Sequence, residues 1–339
     1  MTAPVVDKIG PPPVVKSGVG SFAIDPNFAL NQTIKVAIRL RPPLEDQEKG
    51  KKKNADKKAW VISKTGAMDT MTQKGTARKV DGRTVFHFDQ VFDEETQTPL
   101  VYKSIARSMV KSVLDGKHAT IFAYGQTGSG KTFTMQGDGK KQSGQAGVIQ
   151  LVVSDLFRFM RQGQAMKREF VFKVCYVEVY NERIRDLLSD DVGSTASHGT
   201  PTSSTQRSSV SEKVSIRTTA SGDVVMDCIQ TEVKSVDEVL DLLVNGNAQR
   251  VVAKTDMNNH SSRSHAIFRI TVESREKQAQ PGGDEHAILR VSDFNLVDLA
   301  GSESVKVSNT AGLRQREGSH VNQSLLTLSS VIHSLGLPE

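Results

Sequence analysis

The chain has 339 residues, 44 Lys+Arg against 38 Asp+Glu for a net charge of +6, 37% hydrophobic residues and 26 glycines, the composition of a soluble, foldable chain. It excludes collagen, coiled-coil and wholly disordered classes; no run approaches 18 consecutive apolar residues, and Met1 to Lys16 has no signal-peptide core, so a cytosolic or nuclear home is expected. The only cysteines, Cys175 and Cys228, have no metal-ligand spacing, which excludes a disulfide framework or zinc site as the organising device.

Residues 1–32 are punctuated by Pro, Gly and Ser and read as a disordered leader. Ile34, Val36, Ile38 and Leu40 then alternate with polar or small residues, predicting a strand that Pro42 and Pro43 end. Six of the ten residues from Lys49 to Lys58 are Lys, the mark of an exposed basic loop within a flexible insertion near 45–58; solvation alone or an acidic partner would each account for it. Thr84 to Phe88 reads as a strand and 97–115 as one helix stopped by Gly116. Ala119 to Tyr124 is a short apolar run of the kind covered on both faces, Val148 to Met160 an apolar helix, and Glu169 to Tyr180 a central strand. From Asp191 to Ser211, 11 of 21 residues are Ser or Thr, predicting a flexible insertion over 190–212. Ser235 and Glu238 form a capping box for a helix to about Val252. Strands over 264–274 and 286–298 flank a Pro281-Gly-Gly-Asp284 turn, and a last helix over 321–335 carries Leu325, Leu328, Val331, Ile332 and Leu335 on one face. Intermixed strands and helices predict one α/β domain with a mixed central sheet over 33–339.

The strongest chemical signal is Gly125-Gln126-Thr127-Gly128-Ser129-Gly130-Lys131-Thr132, a G-x-x-x-x-G-K-[ST] phosphate loop between a buried strand and a helix start. Its glycines let backbone N–H groups curl around phosphate oxygens, Lys131 can reach the β- and γ-phosphates, and the Thr132 hydroxyl suits Mg²⁺. Asp298-Leu-Ala-Gly301-Ser-Glu303 follows the apolar strand Phe294 to Val297. There Asp298 can hold Mg²⁺ through water and Gly301 can offer its N–H to a γ-phosphate, although an ordinary turn would look the same. Asn258-Asn-His-Ser261-Ser262-Arg263-Ser264-His265 is very polar for a segment feeding a strand. Its hydroxyls suit a metal and a water, and its arginine a carboxylate or phosphate. A phosphate loop alone leaves kinases, helicases, GTPases and motors open.

In this order, GQTGSGKT, NNHSSRSH and DLAGSE resemble the P-loop and two switch loops of the kinesin motor domain. The resemblance extends to Arg39-Leu-Arg-Pro42, Phe122-Ala-Tyr-Gly125, Tyr176 to Glu182 and Asn322-Gln-Ser-Leu325, and so runs from about Ile34 to Leu335. Ser262 to Lys277 and Val291 to Leu296 look most like the centromere-associated (CENP-E type) subfamily. The resemblance implies a P-loop NTPase fold and an ATP-driven microtubule motor located on the cytoskeleton and, for that subfamily, on the spindle. It implies ATP and Mg²⁺ as cofactors and tubulin as partner, with no nucleic acid, no membrane, and oligomerisation through segments outside this chain. It places adenine over Arg39 and Pro42 with Phe133 stacking on it, Thr132 and Ser262 on Mg²⁺, and Asn258 and Ser261 at the γ-phosphate or attacking water. Arg263 and Glu303 become a bridge between the switch loops that forms only when both close over ATP, and Glu303 the proton acceptor through a second water. Lys306, Arg314 and Arg316 fall where the family touches tubulin.

Two departures accompany it. Ser304 stands where many relatives have a basic residue, and nothing after Glu339 supplies the family's later track helix, core strand, last helix and neck linker. A truncated motor domain is therefore expected, with a microtubule-binding or regulatory module that does not step as the alternative.

Overall fold

The computed structural model describes residues 34–42, 60–64, 68–73, 85–138, 144–161, 168–189, 214–219, 224–252, 262–276, 289–303 and 313–336. The expected leader and both expected insertions lie outside the described residues. In chain order the elements are β1 (Ala37–Arg39), β2 (Trp60–Lys64), β3 (Asp69–Gln73), β4 (Val85–Phe88), β5 (Gln90–Phe92), α1 (Thr98–Ile105), α2 (Arg107–Leu114), β6 (Ala119–Ala123), α3 (Lys131–Gln136), α4 (Val148–Arg161), β7 (Arg168–Tyr180), β8 (Arg183–Asp186), β9 (Ile216–Thr218), β10 (Val224–Met226), β11 (Thr231–Val233), α5 (Val236–Val252), β12 (His265–Glu276), β13 (Arg290–Asp298) and α6 (Leu313–Leu335).

The β-branched and aromatic runs of β7, β12 and β13 form the centre of the main sheet, because strands covered on both faces need apolar side chains on both. Its order is β11-β7-β12-β13-β6, with β8 also on β7. β12 is antiparallel to β7 and β13, and β13 is parallel to β6, so the predicted mixed α/β sheet is what the chain forms. The register sets Glu178, Ala266, Asp298 and Ala123 in one row across four strands, which brings the ends of β6 and β13 side by side.

Alternation along the strands divides two cores. Phe268, Ile270 and Phe294 face Val110 and Val113 of α2 and Val152, Val153 and Leu156 of α4. Val297 and Ile267 face the other way, onto Val321, Leu325 and Leu328 of α6. β1 pairs in parallel with β5, and β2-β3-β4 form a separate antiparallel sheet in which Trp60 meets Phe86 edge-on at 6.1 Å.

Several elements differ from expectation. The helix predicted over 97–115 is two, interrupted at Ala106 (φ −102, ψ −31), a fully buried residue. Tyr102, Ala106 and Val110, four residues apart, still share the face that meets the core across the break. The last helix begins at Leu313, earlier than predicted, because 313–320 have no apolar period to betray them. On its predicted apolar face, Val331 and Leu335 are 50% and 63% exposed; only Val321, Leu325 and Leu328 pack on the sheet. The capping box forms differently from the usual reciprocal pair: Ser235 Oγ accepts the Glu238 amide (3.2 Å), while Glu238 reaches the Lys234 amide (2.8 Å).

Gly246 decides how closely α5 can lie on β7, since a Cβ there would collide with the Cδ1–Cε1 edge of the Tyr176 ring. That ring is 1% exposed, and its hydroxyl accepts from Gln136 Nε2 (3.2 Å) and donates to Asn247 Oδ1 (2.8 Å). Alanine would raise helix propensity by about 1 kcal/mol, but overpacking a rigid ring costs about 1–3 kcal/mol. Gly246→Ala is therefore expected to lower the thermal midpoint by a few degrees in a circular-dichroism melt; a higher midpoint would show that the ring yields.

Candidate functional site

Between the end of β6 and the start of α3, the chain turns back on itself through Gly125 to Gly130. Gly128 and Gly130 have φ of 76° and 100°, a region closed to most residues with a Cβ. Alternating backbone of this kind turns successive N–H groups toward one centre and makes a receptor for an anion. Three contacts hold the loop: Lys131 Nζ donates to Gly125 O (2.9 Å) and Gln126 O (3.0 Å), and Arg41 Nη1 to Gly128 O (2.6 Å). Burial pushes the Lys131 pKa down, and the Asp298 and Glu303 carboxylates pull it back up.

Asp298 stands beside this loop because β13 is parallel to β6. Its Oδ2 accepts from Thr132 Oγ1 at 2.6 Å, while its Oδ1 is buried with no hydrogen-bond partner. A threonine hydroxyl and an unpartnered carboxylate oxygen are hard-oxygen donors, so the residues fit Mg²⁺, an ion that takes one or two protein oxygens and fills its shell from water and phosphate. Among the described residues no cluster of three or more His, Cys, Asp or Glu forms an all-protein metal cage.

Behind Asp298 lies a charge cluster that sequence reading missed. Arg250 Nη1 is 3.7 Å from Asp298 Oδ2, and Arg250 Nε donates to Glu178 Oε1 at 3.1 Å. Its Nη2 donates to Ser264 O (3.2 Å) and Oγ (3.0 Å), and Ser264 Oγ donates to the same Glu178 oxygen at 2.6 Å. A glutamate inside the apolar run of β7 was the available signal, because a charge with both sheet faces covered requires a partner.

The two polar loops meet the phosphate loop through backbone and carboxylate. Gly301 N–H donates to Ser262 O (2.7 Å) and Ser302 N–H to Gly125 O (3.1 Å). Both Glu303 oxygens accept from Thr127, one from the amide at 2.9 Å and one from the hydroxyl. A Cβ at Gly301 would collide with that Glu303–Thr127 pair. Burial opposes the charged form of Glu303, but the Thr127 hydrogen bonds and the Lys131 charge outweigh it and lower its pKa. In this structure Glu303 pairs with Thr127, and the bridge to Arg263 is the one expected when both loops close over ATP. The Gly301 N–H likewise engages Ser262. Asn258 and Ser261, with Lys306 and the side chains of Arg314 and Arg316, lie outside the described residues.

Toward β1, the phosphate loop opens on a cavity of about 190 Å³ lined by Arg39, Arg41, Pro42, Tyr124 and Phe133 among others. The Arg39 guanidinium sits over the Phe133 ring, 5.5 Å from its centroid, fixed by Thr134 Oγ1 (3.0 Å) and Thr96 O (3.2 Å). Phe133 is still 37% exposed, so a cation–π contact shares the ring with the cavity.

His265 ties this site to α6. Its Nδ1 accepts the Ala300 amide at 3.1 Å, so the proton belongs on Nε2, which lies 2.9 Å from Ser324 Oγ. Ser324 in turn donates to Val321 O at 2.8 Å. Burial, aided by the Arg250 charge, pushes the His265 pKa down to about 4.

Comparison with known proteins agrees with this geometry. A family profile described as "Kinesin motor domain" matches residues 39–338. Kinesin-like protein KIN-7L of Oryza sativa subsp. japonica is 37% identical over 309 residues, covering 90% of this chain and 43% of the relative. Kinesin-like protein KIN-7I of the same organism is 36% identical over 306 residues, covering 90% and 22%. The chain therefore spans about a fifth to two fifths of the length of these relatives. A solved structure described as that of a fast kinesin superposes with a TM-score of 0.70 at 30% identity, covering 89% of this chain and 75% of that one.

The neutral histidine has a measurable consequence. Its folded pKa of about 4 lies below the unfolded value of about 6.5, so its contribution is complete above pH 6.5 and is lost as pH falls toward 4. Between pH 7.5 and 5 the wild type should lose about 2 kcal/mol more unfolding free energy than His265→Gln. Denaturant titrations at the two pH values check this; parallel losses would remove His265 as the source.

Proposed function

The chain belongs to the kinesin motor-domain family, and from that premise we propose that it is an ATP-dependent microtubule motor unit. It hydrolyses ATP at the P-loop and couples sensing of the γ-phosphate to microtubule binding and movement. The observation that carries this reading is the convergence of Thr132 on Asp298, Glu303 on Thr127 and Gly301 on Ser262 at one end of the sheet. Three loops distant in sequence share hydrogen bonds there, so a ligand that displaces one bond shifts the others.

Phosphoryl transfer requires position and charge more than covalent chemistry. The phosphate-loop amides and Lys131 take the β- and γ-phosphates, with Lys131 exchanging the Gly125 and Gln126 carbonyls for phosphate oxygens. When bound, Mg²⁺ neutralises phosphate charge; Thr132 and Ser262 would hold it, with Asp298 behind them. Asn258 and Ser261 orient the γ-phosphate and the attacking water. Glu303 leaves Thr127, pairs with Arg263 and accepts, through a second water, the proton of the nucleophile. Arg39, Pro42 and Phe133 cradle the adenine.

Mechanical output follows from two neighbouring amides. Gly301 N–H exchanges Ser262 O for the γ-phosphate, and Ala300 N–H is the group that His265 holds against Ser324 of α6. A shift at Gly301 thereby biases α6, the element assigned to the track. The acidic microtubule surface gives the +6 charge a use, with Lys306, Arg314 and Arg316 as the cations that would serve the encounter. A cytoskeletal location follows. The relatives carry KIN-7 and other kinesin names, which do not support the narrower centromere-associated assignment or a spindle location.

Steady-state ATPase with and without microtubules tests the reading. Turnover stimulated by microtubules is expected; nucleotide binding without stimulation would instead point to a module that does not step. Glu303→Ala should retain nucleotide binding while turnover falls by about 10²-fold or more, and unchanged turnover would remove Glu303 from the chemistry. Lys131→Ala should lose nucleotide binding in a fluorescent-nucleotide titration, and wild-type affinity would refute its phosphate role.

A further inference from the structure

Two thiols that nucleotide chemistry does not use meet at the edge of the main sheet. Cys175 lies buried in the middle of β7, and Cys228, half-buried, lies in the connection from β10 to β11. Their Sγ atoms are 2.9 Å apart.

The backbone holds them there from both flanks. On one side β11 begins its pairing with β7 at Thr231 and Val174. On the other, β8 pairs with β7 from Asp186 and Val177 onward. In the gap between, Asp186 Oδ2 accepts the Ile229 amide at 2.6 Å, and the Leu187 amide donates to Tyr176 O at 2.8 Å. The Cys228 amide itself donates to Met226 O at 3.0 Å. The segment carrying Cys228 therefore has little freedom to move its sulfur away from Cys175.

We propose that Cys175 and Cys228 form an oxidation site, in which a hydroperoxide converts the two thiols into an intramolecular disulfide. The more accessible Cys228 thiolate attacks the terminal peroxide oxygen; an S–O bond forms, the O–O bond breaks, and the leaving oxygen departs as alcohol or water. Cys228 loses two electrons and becomes a sulfenic acid. The Cys175 thiol attacks that sulfur, the S–S bond forms, and the sulfenic oxygen leaves as water with the Cys175 proton. Two thiols and one hydroperoxide thus yield one disulfide, one water and one alcohol, or two waters from hydrogen peroxide.

The surroundings favour this division of roles. Contact with Cys175 lowers the Cys228 pKa against burial and the Asp186 charge, with help from Arg269, while the same contact and burial push Cys175 up. Cys175 pairs with Arg269 on β12, three register steps from the Glu178 row that carries the site. Oxidation there leaves the phosphate loop in place and instead staples the intervening 53-residue separation to the central strand. In a reducing compartment such a bond is transient and records oxidant exposure.

The test treats the fully reduced chain with hydrogen peroxide, alkylates what remains with iodoacetamide and maps peptides by mass spectrometry. A cross-linked Cys175–Cys228 peptide, about 2 Da below the sum of the reduced pair and reversed by dithiothreitol, is expected. The oxidised form should melt several degrees higher than the reduced form, with ATP turnover within about twofold. Cys228→Ser and, separately, Cys175→Ala should each abolish both the cross-link and the thermal shift. Over-oxidised Cys228 without a cross-link, disulfide-linked dimers, or alkylation of both cysteines after peroxide would overturn the proposal.

Discussion

A buried guanidinium ties together the elements that frame the site. Arg250, with its side chain 7% exposed, stands between Glu178 at 1% and Asp298 at 4%, and Ser264 completes its hydrogen bonds. These four residues belong to α5, β7, the end of β13 and the entry to β12, so the cluster fixes a helix and three strand ends relative to one another. Removing one charged member would leave an uncompensated buried charge, at a cost of about 3–5 kcal/mol. Its geometry depends in turn on Gly246, one helical turn before Arg250 on the same face of α5. Only there can the helix come close enough to β7 for the guanidinium to reach Glu178.

The loops in front of this cluster make a softer assembly. Thr132–Asp298 and Gly301–Ser262 are single hydrogen bonds and Glu303–Thr127 is a pair, each bond with a net worth of about 1–3 kcal/mol. Ligand phosphate can exchange them without disturbing Arg250 behind. The buried cluster keeps the frame rigid while the bonds that a nucleotide must trade remain cheap to break. His265 belongs to both layers, since its ring is buried with the frame but its two nitrogens hold Ala300 of a loop and Ser324 of α6. Being neutral, it links the loop to α6 without placing a charge inside the core.

Much of this was legible in the sequence where the signal is local. The phosphate loop declares itself through closely spaced glycines followed by Lys131 and Thr132, and the long strands through unbroken β-branched runs. The break at Ala106 was not legible, because alanine suits a helix and the apolar period continues unchanged through it. The exposure of Val331 and Leu335 was hidden for a related reason: helical periodicity shows that a face is apolar, but not how much of it the rest of the molecule covers. Glu178 was visible as a charge in an apolar strand, yet its partner Arg250 is 72 residues away.

The sequence by itself determined the family, the order of the three nucleotide loops and the mixed α/β architecture, since these rest on contiguous residue patterns with a local physical meaning. Which groups touch was decided by the tertiary structure. Thr127 meets Glu303 across 176 residues because β6 and β13 run side by side and bring the loops after them together, and Cys175 meets Cys228 across 53 because the segment entering β11 is held against β7. A one-residue slip in β13 would turn its side chains, Asp298 among them, to the opposite face. Register is set by the summed burial of both cores, a property of the packed sheet that no single segment carries.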